Sequence, residues 1–312
     1  MLTRYLTSAH HAALSKRVTA NGVRLEDVIR SGLRHPDSAI GVYAPDVESY
    51  EVFRELFEPI LENFHAPSLS HRTDMACIHP AAVHTTRIRV ARNLAGHTFP
   101  AGMSRSERLD VEQKITRACR SLALGFEGTV IQLKDLPPDT LDDMIANRLA
   151  FGPDDKYMAA AGIHDDWPLG RSVFNTHAGQ LSVWINEEDH LRVAIVMPGA
   201  AMDACHEAMA FVMSRLDASL DFSRDAELGH LTSCPSNVGT GLRASYRVLQ
   251  SLNAAQNPAL ERLAAAGVIQ LRAPAGEHAA PSRDLVDVGL RRRVGLSERD
   301  ALDGMKALLA RH

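Results

Sequence analysis

The chain has 312 residues, 45% of them hydrophobic, enough for one large domain or two unequal ones around a sizeable core. A formal net charge of −4 gives no bulk attraction for nucleic acid or an anionic membrane, so any anion site must be a local cluster of arginines. No apolar run approaches the ~18 residues of a membrane-crossing helix, the opening Met1-Leu2-Thr3-Arg4-Tyr5 carries no apolar leader, and neither the four cysteines nor the fifteen histidines show a zinc spacing. A cytoplasmic protein with free thiols and no side-chain metal site is expected.

Residues 1–65 read as helical. Leu25, Val28, Ile29 and Leu33 share one helical face, and Phe53, Leu56, Phe57, Ile60 and Leu61 share another. Between them, residues 36–45 form a loop bounded by Pro36 and Pro45, which as a bare sequence is consistent with a simple helix connection. Residues 66–80 carry Pro, Ser and His without periodicity and read as an interdomain linker. The expected division is therefore a small helical unit at 1–70 and a larger unit at 71–312. The larger unit opens at 83–90 with strand alternation, which points Arg87 and Arg89 to the same face. Ser104 with Glu107 is a capping box for a helix lined by Ile115, Ala118, Cys119 and Leu122. Met202, Cys205, Met209, Val212 and Leu216 make a core helical stripe. Asn257-Pro258 starts a further helix that Gly267 ends, a strand follows at 268–272, and Ser297 caps a last helix facing inward through Leu302, Met305 and Leu309. Strands do not alternate regularly with helices, and no GxxxxGK[ST] or GxGxxG opens a helix, which disfavours a P-loop or Rossmann nucleotide site.

Two stretches carry chemistry. Residues 183–192, Val-Trp-Ile-Asn-Glu-Glu-Asp-His-Leu-Arg, run from an apolar strand into adjacent carboxylates that end at Arg192. Such a run is usually solvated surface; where a fold keeps the carboxylates together, cations or donors must face them. Residues 234–243, Cys-Pro-Ser-Asn-Val-Gly-Thr-Gly-Leu-Arg, join a free thiol, a polar glycine turn and Arg243. NEEDHLR at 186–192 and CPSNVGTGLRAS at 234–245 resemble the signatures of the phosphagen (guanidino) kinases. TTRIRVARNL at 85–94, GEH at 276–278 and RRRVGLSE at 291–298 follow in that family's order and spacing.

The resemblance implies an α+β fold: a small all-α N-terminal domain followed by a large antiparallel β-sheet domain flanked by helices. It implies reversible transfer of the γ-phosphoryl of MgATP to a guanidinium, with ATP/ADP and Mg²⁺ as cofactors and free L-arginine as the best-matching acceptor. Arg87, Arg89, Arg192, Arg243 and Arg272 match the phosphate-binding arginines, whose planar forks stay charged and bind oxygens bidentately. Glu188 and Glu277 match the glutamates that orient the guanidinium and take its proton. Glu187 and Asp189 are expected behind them, acting through waters on Mg²⁺, which is held mainly by nucleotide oxygens and water. Cys234 matches the reactive cysteine, with nearby cations and the Ser236 hydroxyl favouring thiolate. In the 36–45 loop, backbone amides around Ser38, Ala39 and Ile40 and the Tyr43 hydroxyl would hold the amino-acid end of the substrate. Residues 273–283 would close over the site and carry Glu277 in.

Three positions depart from the family pattern. Asn175 and Arg247 stand where histidines are usual, and Ala275 replaces an arginine common in the closing loop. The first two bear on the nucleotide base, for which Arg247 offers a guanidinium plane to stack on a purine. Rival readings are a kinase for another guanidine such as taurocyamine, a protein-arginine kinase, which the N-terminal domain and its loop disfavour, and a nucleotide-binding pseudoenzyme, which Glu188, Glu277 and Cys234 argue against. A monomer or homodimer acting on small molecules, without nucleic acid or membrane partners, completes the expectation.

Overall fold

The computed structural model describes residues 2–66, 75–122, 125–273 and 284–309. The N-terminal part holds helices α1 (Leu2–Tyr5), α2 (Ser8–Leu14), α3 (Leu25–Arg34), α4 (Ser49–Val52) and α5 (Arg54–Phe64). In α3 the buried stripe is Leu25, Val28 and Ile29, continued by Gly32 and not by Leu33, which is 61% exposed. The reason is local: the Gly32 N–H donates to the Gly41 carbonyl at 3.0 Å, and a Cβ on Gly32 would sit 2.4 Å from that oxygen. The helix therefore turns its glycine against the returning loop, leaving Leu33 one position round in solvent.

The larger part is built on strands β1 (Val83–Arg92), β2 (Gly128–Gln132), β3 (Ser172–Thr176), β4 (Leu181–Ile185), β5 (Leu191–Pro198), a minor pair β6 (Arg224–Asp225) and β7 (Gly229–His230), then β8 (Leu242–Leu249), β9 (Ile269–Arg272) and β10 (Leu285–Leu290). Its main sheet is eight-stranded and antiparallel, in the order β2-β3-β4-β5-β1-β8-β10-β9. Helices α6 (Arg105–Cys119), α7 (Pro138–Ala146), α8 (Lys156–Ala160), α9 (Met202–Asp217), α10 (Asn257–Ala265) and α11 (Glu298–Lys306) complete it.

Strand alternation decides which face becomes the core. Ile88 and Val90 of β1, Val193 and Ile195 of β5, and Ala244, Tyr246 and Val248 of β8 are buried with Ile115 of α6, Met209 and Val212 of α9, Leu263 of α10 and Met305 of α11. The intervening residues Arg87, Arg89, Arg192, Arg243 and Arg247 fall on the opposite face. The Ser104 capping box is half made. Ser104 accepts from the Glu107 N–H at 3.3 Å, but the Glu107 carboxylate turns to the Thr98 N–H and hydroxyl at 2.7 and 2.6 Å.

The expected linker behaves differently at its end. Cys77 and Ile78 are fully buried, and both N–H groups reach the Leu308 carbonyl at 2.9 Å. The helical part also shares a core with α8 and with loops of the larger part. Leu25, Ile29, Phe53, Phe57 and Ile60 pack in one cluster with Phe99, Tyr157, Ile163, Leu231, Cys234 and Val238.

Candidate active site

Between the open sheet face and the 36–45 loop lies a cavity of about 600 Å³. It gathers Ser38, Ala39, Ile40, Tyr43, Arg87, Arg89, Asn175, Glu188, Arg192, Cys234, Arg243, Arg247 and Arg272. Glu277, Ala275 and the proposed closing loop beyond residue 273 lie outside the described residues.

The sheet register sets out the arginines. Arg89 on β1 pairs with Arg243 on β8, Arg87 follows two residues along, and Arg192 on β5 sits opposite Ala91. Among the described residues no carboxylate approaches Arg87, Arg89 or Arg243 within ion-pair distance, and Arg87 Nε with Arg243 Nε and Nη2 are buried without a hydrogen-bond partner. Burial, then Arg192, pulls Arg87 down to about 10. Burial and neighbouring arginines hold Arg89 and Arg243 well below the usual guanidinium range. Buried cations facing each other are costly, and a multivalent anion removes the cost.

The acidic motif is a hairpin tip between β4 and β5. Asn186 takes a left-handed backbone at φ 56°, and its amide donates to the Arg108 and Gly170 carbonyls at 3.0 and 2.8 Å. His190 accepts the Leu94 N–H on Nδ1 at 2.9 Å, so its Nε2–H donates to the Thr98 carbonyl at 2.9 Å. These ends anchor the turn and leave Glu187 and Glu188 facing the cavity. Arg192 spans both, Nη1 to Glu187 Oε1 at 2.5 Å and Nη2 to Glu188 Oε2 at 3.4 Å, with its guanidinium 5.5 Å from the Trp184 ring centre. Asn237 donates to the same Glu188 oxygen at 2.9 Å. Burial lifts Glu188 to about 7 against the pull of Arg192, with Asp189 and Glu187 adding to the rise.

Asp189 departs from expectation. It does not line the cavity; its Oδ1 accepts from the Asn93 amide and the Ser233 N–H, both at 2.7 Å, and so ties the hairpin to the cysteine loop. Its Oδ2 is buried without a hydrogen-bond partner. Cys234 also differs. Ser236 Oγ lies 3.2 Å from its sulfur, but burial and then the Glu188 carboxylate push the thiol above its ordinary range. The Ser236 hydrogen bonds pull the other way but are outweighed, so the surroundings of the cavity without substrate favour the thiol over the thiolate.

At the far end of the cavity Arg247 is ion-paired, Nε to Asp287 Oδ1 at 2.9 Å, the two facing each other across β8 and β10. Asn175 donates to the Leu149 carbonyl at 2.8 Å, steadying the segment that carries Arg148, while its Oδ1 is buried and unpartnered. Sequence reasoning missed Arg148, which lines the cavity from a left-handed backbone at φ 60°. It also missed Asp287, Trp184 and Asn237, which line the cavity too. Strand alternation through 285–290 was the available signal for Asp287; nothing local marks Arg148. Among the described residues no group of three His, Cys, Asp or Glu side chains forms a metal cluster.

Profiles described as the C-terminal catalytic domain and the N-terminal domain of ATP:guanido phosphotransferases match residues 110–311 and 1–62. The arginine kinase of Anthopleura japonica is 34% identical over 99% of this chain, which spans only 46% of that protein. That of Schistocerca americana is 32% identical over 98% of this chain and 89% of its own length. Among solved structures, the substrate-free duplicated taurocyamine kinase from Schistosoma mansoni matches with TM-score 0.86 at 29% identity, over 98% of this chain and 45% of that one. A lombricine kinase matches with TM-score 0.83 at 30% identity, over 98% and 90%. Laid on a cavity in which Arg87, Arg89 and Arg243 have no ion-pair partner among the described residues and an acidic hairpin faces them, these matches define a phosphotransferase. The chain belongs to the ATP:guanido phosphotransferase family: it is a phosphagen kinase.

Proposed function

We propose that the protein transfers the γ-phosphoryl of MgATP reversibly to the guanidinium of free L-arginine. The observation that carries this is the cavity itself, which is lined at once by Arg87, Arg89 and Arg243, without ion-pair partners among the described residues, by Glu188 and Cys234, and by Ser38, Ala39, Ile40 and Tyr43 of the loop. Residues 1–70 supply the guanidino-substrate wall and 71–312 the nucleotide side.

The arginines hold the phosphates and take up the charge that spreads over the transferring group. Arg192, fixed by Glu187 and Glu188, and Arg272 on β9 complete the clamp. Magnesium fits phosphate oxygens and water better than side chains here, because Glu187 is already committed to Arg192 at 2.5 Å. A guanidinium nitrogen attacks the γ-phosphorus in line, the bond to the β,γ-bridging oxygen breaks, ADP leaves, and the guanidinium proton passes to a carboxylate. Glu188, lifted to about 7, has the affinity for that proton that a general base needs. Glu277 is proposed to share this task. The substrate cation beside Cys234 would lower the thiol, and the resulting thiolate would fix the guanidinium by charge.

Relatives named as arginine kinases support arginine. Taurocyamine kinase and lombricine kinase among the structural relatives favour a second reading, another guanidino acceptor. A coupled ADP-release assay against a panel of guanidino compounds decides. A higher kcat/KM with taurocyamine than with arginine refutes the assignment, and no stimulation by any guanidine favours a nucleotide-binding scaffold.

A further inference from the structure

The loop that carries Cys234 is held by its backbone carbonyls, and several of the donors come from the helical part. Tyr50 donates its hydroxyl to the Thr232 carbonyl at 2.7 Å, and the Ala44 N–H donates to the Ser233 carbonyl at 2.7 Å. His65, which follows the end of α5, lies 3.0 Å through Nε2 from the Pro235 carbonyl. The Arg293 N–H donates to His65 Nδ1 at 3.2 Å, so Nδ1 accepts and Nε2 must carry the proton that goes to Pro235. Burial pulls this histidine down to about 4, which keeps that neutral form over the working pH range.

The same loop reaches the acid residue. Arg293 Nη1 holds the Ser236 carbonyl and lies 3.1 Å from Asn237 Oδ1. The other side of that amide, Asn237 Nδ2, donates to Glu188 Oε2 at 2.9 Å. An amide whose oxygen is pinned has its nitrogen pointed one way. Hydrogen bonds joined through the Arg293 chain and side chain therefore link His65, at the end of α5, to Asn237 and the Glu188 carboxylate, and His65 also holds Pro235, the residue bonded to Cys234.

We infer that Tyr50 and His65 are positioning residues for the phosphoryl-transfer step: by docking on the 232–237 carbonyls, the helical part sets the placement of Cys234 and, through Asn237, of Glu188. The helical part thus shapes the reacting end of the site as well as walling the substrate. This rests on the kinase reading above for its kinetic consequence but not for its chemical one.

The loop can be read directly by alkylating Cys234 with iodoacetamide and following the modified peptide by mass spectrometry, alongside kinetics with MgATP and L-arginine. Tyr50→Phe deletes one hydroxyl, and His65→Phe keeps a flat ring without its nitrogens. Each is expected to speed Cys234 alkylation several-fold and lower kcat about tenfold, the scale of one hydrogen bond, while KM for ATP stays within about twofold. His65→Gln, which restores a donor toward Pro235, should recover part of both effects. Alkylation within twofold of the unmutated rate in both phenylalanine variants overturns the inference. So does a fall in kcat accompanied by an equal change in KM for ATP and a lower Tm, the pattern of general destabilisation. If the unmutated protein turns over no guanidino compound, the kinase reading fails, and the alkylation rates still decide whether the helical part holds the loop.

Discussion

Arg247→Ala separates two roles that the Arg247–Asp287 pair combines. The pair is largely buried, its side chains 23% and 11% exposed, and it sits in the row of the sheet where Arg272 on β9 also faces Asp287. Removing Arg247 deletes a guanidinium plane that can cover a purine, worth about 1 kcal/mol for a partly exposed cation–π contact. It also uncovers the Asp287 carboxylate inside a cavity meant for an anion. At about 8 Å from a phosphate, with an effective dielectric constant near 20, one unit of negative charge costs about 2 kcal/mol. Together the terms predict that KM for ATP rises about 100-fold in Arg247→Ala. In Arg247→Ala/Asp287→Asn the charge term disappears, and the rise should shrink to about fivefold. The assay is coupled ADP release over an ATP titration at saturating arginine. Equal KM values in the single and double variants refute charge masking by Arg247, and an unchanged KM in the single variant refutes both terms. Because a guanidinium plane does not distinguish purines, GTP should be used nearly as well as ATP by the unmutated protein. A strong preference for ATP would count against stacking.

Glu188→Gln should lower kcat more than it raises KM for ATP, because proton acceptance matters most in the transition state. Its stability should move the other way. With the folded pKa lifted to about 7 from the usual carboxyl range, Glu188 favours the folded state at low pH and loses that contribution as pH rises through about 7. Thermal melts should therefore find Glu188→Gln more stable than the unmutated protein at pH 8, by about 1–3 kcal/mol, with the gap closing toward pH 5; a gap that widens on acidification refutes the placement. For Cys234, Cys234→Ser should lose about 10- to 1000-fold in kcat, or about 1–4 kcal/mol. Alkylation of Cys234 in the nucleotide-free protein should keep rising with pH beyond 9 without a plateau, whereas a plateau near neutrality would reveal a resting thiolate. Arg243→Met should raise the Tm of the nucleotide-free protein by relieving an unpaired buried cation, and should abolish most of the Tm increase that ADP gives. A variant that melts lower and still responds fully to ADP would contradict the proposed phosphate contact.

Much of this was legible in the chain because strand periodicity and side-chain chemistry point the same way. The alternation through Arg87 and Arg89 put both on one face, and the structure places them there with Arg243 across the β1–β8 register. Helical stripes such as Met202, Cys205, Met209 and Val212 were readable for the same reason and are buried. What escaped was set by contacts distant in sequence. Leu33 fits a helical stripe, but only the approach of Gly41 to Gly32 shows that the stripe passes through the glycine. The Asp189 carboxylate looks like its neighbours Glu187 and Glu188 until the hairpin folds and turns it toward Asn93 and Ser233. The state of Cys234 depends on which charges surround it in space, and a one-dimensional motif carries no such distances. Arg148 belongs to a stretch without periodicity and is brought to the site by the loop that Asn175 supports.

The core shared between α3, α5 and the residues around Phe99, Tyr157, Ile163, Leu231 and Val238 bears on any attempt to change acceptor preference by exchanging parts. A chimaera that receives its first 62 or so residues from a taurocyamine or lombricine kinase would graft one half of an apolar joint onto the other half's original partner. Mismatched volumes there would open voids or force side chains out of their rotamers, at about 1–3 kcal/mol for each poorly fitted site. A graft with the best prospect would move the matching surface at 99, 157–163 and 231–238 together with the helices. It would treat specificity as a property of the seam and not of the loop alone.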